Sequence, residues 1–321
     1  MEGNEERKFN KEWKEKHRRF FQIAGITVRL ESDLNFDKVK FKEEFGQFAV
    51  NGPGDDNVTF RHHFEMPDLK DQDLGKELYR KPPWAISRKN GTWYYLGIAP
   101  KPKDSTLHRV AVFNSNYMNA TIFSCPDEAK RIRKTGWHSL SLFPTDQIWL
   151  APLLADRNAV LLHSAAVNLH GEGLLFVGHS EAGKSTTMTF LKEHAEILCD
   201  DRNVVRRWDK GWRVHGTWSH GDVPDVSPVS APLRAVIFLQ QADQNAIKPL
   251  TDRKEIWRRL LATLIKPMVT AEWWKKELDT LEQLVEEASF FKMFFDKSGA
   301  IVSELMKLTE EKGLQTKDTR I

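Results

Sequence analysis

The chain has little cysteine, no long apolar run and almost no net charge, and each shortage excludes something. Its two cysteines, Cys125 and Cys199, are too far apart in sequence to read as paired metal ligands or as a disulfide framework. A reducing compartment fits that usage, and a cytoplasmic location is expected. No apolar stretch is long enough to cross a bilayer, so no membrane association is expected. The start, Met1-Glu-Gly-Asn-Glu-Glu-Arg, lacks the apolar core of a secretory leader, so export is not indicated. Lys and Arg number 48 against 45 Asp and Glu, a net charge of +3. That balance is too even to create the field that nucleic-acid binding draws on. There is no internal repeat and no low-complexity tract. Two nucleotide-handling signatures are also missing, the guanine-reading Asn-Lys-x-Asp and the transporter Leu-Ser-Gly-Gly-Gln. Their absence argues against a GTPase and a transport ATPase.

What is present is enough for two ordinary domains: 321 residues, 40% of them hydrophobic, with a core of matching size to bury. Residues 1–19 are dense in both signs of charge and read as a solvated arm. Residues 20–144 carry short runs rich in β-branched and aromatic residues, as in Phe21–Leu30, Val58–Phe60, Thr92–Leu96, Arg109–Phe113 and Ala120–Phe123. Asn51-Gly-Pro-Gly, Lys81-Pro-Pro and Pro100-Lys-Pro separate them. This half reads as a β-rich, α+β accessory domain that presents the acceptor. A helix capped by Thr145 then leads into residues 145–321, where strand and helix patterns alternate as in an α/β domain.

The most specific signal is Gly178-His179-Ser180-Glu181-Ala182-Gly183-Lys184-Ser185-Thr186, between the apolar run Leu174–Val177 and a helical pattern. Glycines at 178 and 183 let the backbone curl until its N–H groups point inward at phosphate oxygens, and the helix that follows adds its positive end. In such a loop Lys184 neutralises the outer phosphates, and the Ser185 hydroxyl completes the shell of a magnesium ion bridging them. Nucleotide chemistry next needs a carboxylate at the end of a neighbouring strand, and Asp200-Asp201 follow the strand pattern Glu196–Cys199. Side chains alternate along a strand, so the two acids should take different tasks: one holding magnesium, the other accepting a hydroxyl proton. The competing reading is an N-capping pair before a turn.

His163 sits in the otherwise apolar Val160–Val167, where a lone histidine is more often a core residue than a catalyst. His215 and His220, in Val214–Asp222, read equally as site or surface groups. Trp273-Trp274 and the phenylalanines of Phe290–Phe295 read as packing. Arg253-Lys254 and Arg258-Arg259 read as a solvated helix face, the alternative being a charge that serves phosphoryl transfer.

His163, the Gly171/Gly173 turn, the loop Gly178–Thr186 and Leu198-Cys-Asp-Asp201 together resemble the catalytic domain of the HPr kinase/phosphorylase family, which is related to phosphoenolpyruvate carboxykinases. The resemblance runs from about Ile148 onward and is strongest between His163 and Asp201. It implies a P-loop domain with a mixed sheet of the HPr kinase C-terminal type. By the same resemblance Lys184 and Ser185 bind phosphate and magnesium, Asp200 is the general base for a serine hydroxyl with His163 beside it, and Asp201 lies near the metal. Relatives of this kind are commonly oligomeric. Glu181 stands where the family usually has glycine and Thr186 where it has an acid, and the family's Glu-Val-Arg-Gly stretch is missing. These departures point away from HPr and from the reverse phosphorylase reaction, toward another acceptor. The expectation is a kinase using ATP and magnesium, with the serine of a protein or peptide as acceptor. The alternatives are a small-molecule kinase acting on a serine-like alcohol, and a nucleotide-binding regulatory module without phosphoryl transfer.

Overall fold

A computed structural model describes residues 12–98, 107–266 and 270–310. The chain is α/β with mixed sheets, and it divides into two compact units, Met1–Trp149 and Leu150–Ile321. The charged arm expected over residues 1–19 lies outside the described residues as far as residue 11. Its remainder contributes Arg18 and Arg19 to the first strand.

The first unit is built on a nine-stranded sheet of β1 (Arg18–Ile23), β2 (Ile26–Ser32), β3 (Ala49–Val50), β4 (Asp56–His63), β5 (Lys76–Lys81), β6 (Trp84–Lys89), β7 (Thr92–Ile98), β8 (Leu107–Phe113) and β9 (Asn119–Ser124). The order is β3-β1-β2-β4-β9-β8-β7-β6-β5. Pairings β2–β4 and β4–β9 are parallel, and the others are antiparallel. The single run expected at Phe21–Leu30 is two strands, because Ala24 and Gly25 both take positive φ and fold it into a hairpin. The helix Pro126–Thr135 was not anticipated, although Pro at its first position and acids in its first turn are ordinary start signals. Its Glu128 makes a buried ion pair with Arg109 of β8 at 2.9 Å.

In the second unit two long strands, β10 (Ala159–Leu169) and β15 (Ser230–Gln241), each serve two layers of pairing. The first half of β10 pairs with β13 (Arg202–Trp208), which pairs with β14 (Gly211–His215) and so with the start of β15. The second half of β10 lies antiparallel to both β11 (Glu172–Val177) and β12 (Glu196–Cys199). Beyond β11 come β15 and β17 (Phe290–Phe295), both parallel, and then β16 (Ala246–Pro249), antiparallel.

Strand alternation divides the buried side chains between two cores. Leu175, Val177, Val236 and Phe238 face one core, with Leu260 and Leu281 from the helices Arg253–Thr263 and Ala271–Glu287. Leu174, Phe176, Ile237 and Met293 face the other, with Met188 and Leu305 from the helices Lys184–Leu191 and Ile301–Glu310. Helices cover both faces, which is why β11 and β15 read as continuous apolar runs and not as alternating ones. The helix starts are set locally: Asp252 accepts from the Lys254 and Glu255 N–H groups, and Thr270 accepts from Trp273 N–H.

One buried group opposes this packing. Glu277 is 1% exposed, its Oε2 has no hydrogen-bond partner, and burial pushes its carboxyl well above the ordinary range. A carboxyl whose folded pKa is raised favours the folded state at low pH, and that contribution is lost as pH rises from its unfolded value through its folded one. Replacing it with the neutral Glu277→Gln should therefore stabilise the chain at neutral pH by about 1–3 kcal/mol. Thermal unfolding across pH would show a gap between variant and parent that closes toward pH 4. A gap independent of pH would show that Glu277 is not neutralised by burial.

Candidate functional site

The residues singled out in sequence converge at one edge of the sheet of the second unit, because β11 and β12 both run antiparallel to β10 and so end on the same side. Val177 lies opposite Ser164, Cys199 opposite Ala166 and Arg202 opposite His163, so both strand ends and the middle of β10 meet there. The backbone closes the junction, with Ser164 N–H donating to Asp201 C=O at 3.1 Å.

The loop after β11 is curled as its glycines require. A Cβ on Gly178 would stand 2.6 Å from that of Ala182, so only glycine lets the loop fold so closely on itself. Gly183 has φ +100 and lies against the ring of Phe295. Glu181, where the resembled family usually has glycine, takes φ +68, and its carbonyl is held by the Gln241 amide at 2.9 Å. Ala182 N–H is bonded to His179 C=O, while the N–H groups of Ser180, Glu181 and Gly183 meet no backbone carbonyl among the described residues. They and the start of the helix Lys184–Leu191 are the donors an anion would use. Lys184 is buried and folds back over the loop, its Nζ donating to the carbonyls of Gly178 and His179 at 3.0 and 3.1 Å. Burial lowers its pKa, and the charges of Asp201 and Asp200 counter part of the fall.

The two acids have different surroundings, as alternation requires. Asp200 is 2% exposed. Its Oδ2 accepts from Val223 N–H at 3.0 Å, and its Oδ1 is buried with no partner. Burial raises its pKa. Val223 N–H and the Ser185 side chain offset part of the rise, and Asp222 and Asp201 add to it. Asp201 has both oxygens engaged, Oδ1 by His163 Nε2 at 3.2 Å and Oδ2 by Arg202 at 2.6 Å. Burial would raise its carboxyl, but His163, Arg202 and Lys184 together hold it below the ordinary range. The family resemblance set His163 beside Asp200, whereas its ring reaches Asp201. Ser185 faces Asp200.

Two neighbours join the acids, Arg202, which had escaped notice in sequence, and Gly221, from the Val214–Asp222 segment singled out there. Arg202 carries no signal of its own in the sequence, and β13 brings it opposite His163. Gly221 lies against Asp200, where a Cβ would stand 3.1 Å from Oδ2. That contact brings the loop of His220 and Asp222 over the acids. His220 is half-buried and bonded to Gly221 C=O. His215 is not at the site: it is buried on β14 and accepts from Trp208 Nε1 at 3.3 Å, and burial lowers its pKa to about 3. Trp273 and the phenylalanines of β17 that belong to the cores are packing groups, as their spacing suggested.

No group of three or more His, Cys, Asp or Glu side chains among the described residues is arranged to hold a metal by itself. Magnesium is usually held by one or two protein oxygens together with phosphate and water, and the hydroxyl and carboxylates here are oxygen donors of that hard kind. The donor set therefore fits a magnesium ion that arrives with a phosphate ligand, with the Ser185 hydroxyl among the oxygens it could use.

Residues 148–282 match the model of a family described as SynChlorMet cassette protein ScmC. No curated protein matches the chain. Among solved structures, the HPr(Ser) kinase/phosphatase from Coxiella burnetii matches 47% of this chain and 93% of its own at 9% identity. The TM-score is 0.26, a likeness too loose to transfer anything from it.

Proposed function

We propose that the chain transfers the γ-phosphoryl group of ATP, with magnesium, to a hydroxyl, the serine of a protein or peptide. The observation that carries this reading is the meeting of a curled loop of donor N–H groups with a buried, half-unpartnered carboxylate delivered by a separate strand. A loop alone would account for anion binding. The unpartnered Asp200 oxygen beside it supplies what a transfer reaction adds, a proton acceptor of raised basicity.

In this reading the loop N–H groups and Lys184 hold the donor phosphates, and Lys184 leaves the carbonyls of Gly178 and His179 to do so. Bound magnesium, held by Ser185, would offset charge on the phosphate oxygens. Asp200 orients the incoming hydroxyl and takes its proton. Asp201, pinned by His163 and Arg202, is a fixed anion whose charge favours the protonated form of Lys184. His163 thus acts as a positioning residue through Asp201. Phosphoryl transfer of this kind needs little covalent help, so most of the acceleration comes from placement and charge.

Asp200→Asn should lower turnover by about 10²–10⁴-fold and leave ATP binding close to that of the parent. Asp200 must be ionised to accept a proton, so kcat/KM should fall as pH falls through its pKa. That acid limb should lie above the ordinary aspartate value of about 3.9, and it should disappear in the variant. Phosphate release from γ-labelled ATP, with protein, peptide and small-alcohol acceptors, measures both. An Asp200→Asn protein that turns over at the parent rate would remove Asp200 as the base, and a parent that binds ATP but transfers phosphate to no acceptor would leave only a nucleotide-binding module.

A further inference from the structure

A cavity of about 590 Å³ opens against the loop on the flank away from the acids. In the sheet, β12 and its acids lie beyond β10 on one side of β11, while β15 lies on the other. The end of β15 forms one wall of the cavity with Phe238 and Gln240, the helix Arg253–Thr263 forms the opposite wall with Arg259 and Thr263, and the loop itself closes the inner end. Asp200, Asp201, His163 and Ser185 take no part in its lining. Its volume is within the roughly 300–1,000 Å³ typical of small-molecule sites.

The cavity carries a prepared flat surface. Arg259 is held by Glu255, Nε to Oε1 at 2.9 Å, and its guanidinium lies 5.4 Å from the ring centre of Phe238. A guanidinium fixed in this way offers a plane on which a planar ring can stack, with little entropy left to lose. The Gln241 amide, which holds the Glu181 carbonyl, ties this wall to the loop.

In-line phosphoryl transfer sets the attacking and the leaving oxygens on opposite sides of phosphorus. With Asp200 receiving the hydroxyl on the β12 flank, the leaving part of the donor must extend to the β15 flank, where the cavity is. We propose that this cavity binds the nucleoside of the donor, with the base stacked on the Arg259 and Phe238 layer, so that the donor is a nucleoside triphosphate and not an inorganic polyphosphate. The assignment rests on the phosphate-binding reading of the loop.

Calorimetric titration of the full chain with ATP and with inorganic tripolyphosphate, each with magnesium, tests both and separates them. The parent should bind ATP at least about tenfold more tightly than tripolyphosphate. Ala262→Trp, at an exposed position lining the cavity, should abolish that preference while leaving tripolyphosphate affinity unchanged, and Arg259→Ala should reduce it. Equal affinities in the parent, or a preference that survives Ala262→Trp, would overturn the nucleoside assignment alone. Absence of tripolyphosphate binding by the parent would remove the loop reading and this proposal together.

Discussion

The candidate site depends on one constraint of sheet geometry: two strands that share an antiparallel neighbour must run the same way. β10 is that neighbour for β11 and β12, and the residues that follow the two strands emerge at one edge, although the ends of the strands are separated by a helix and twenty-odd residues of chain. Had β12 paired parallel to β10, Asp200 and Asp201 would lie at the far edge, and the loop would face no acid. The second half of β10 is therefore the element whose pairing assembles the site, and His163, just before it and opposite Arg202 of β13, is drawn in with it.

Adjacent acids acquire opposite electrostatic character there. A strand end points consecutive side chains to different sides, so Asp200 turns into a buried pocket with one N–H donor and the Ser185 side chain, while Asp201 turns toward His163, Arg202 and Lys184. Desolvation dominates the first, and opposing positive charge overcomes it at the second. Groups of one chemical type separated in this way can take distinct duties at a single pH. Lys184 shares in the balance, since both acids favour its charged form while burial opposes it.

Much of the second unit was legible because its signals are local. The strand pattern expected at Glu196–Cys199 is the span of β12, the apolar run Leu174–Val177 lies within β11, and the helical pattern after the loop is the helix Lys184–Leu191. The misses have physical causes. β13 has no strong pattern of its own, and although β14 follows it through a tight hairpin turn, its partner on the other side, β10, is remote in sequence. In the first unit the expected break at Lys81-Pro-Pro is a hairpin turn, but β5 and β6 on either side of it were not read as strands. At the site, His163 could be recognised as unusual in an apolar strand, but its partner could not, since a choice between Asp200 and Asp201 depends on the pleat at a strand end.

By itself the sequence determined the local chemistry of this protein: where glycines permit a curl, which lysine and hydroxyl follow it at the start of a helix, and which strand ends in two acids. These depend on backbone sterics and hydrogen bonding over a few residues, and such rules act wherever the chain finds itself. Tertiary structure alone decided which groups meet: that Asp201 and not Asp200 takes the histidine, that Arg202 joins them, and that a cavity with a fixed arginine plane opens on the opposite flank of the loop. Those outcomes follow from strand order and direction, which are settled by how two apolar cores share one sheet.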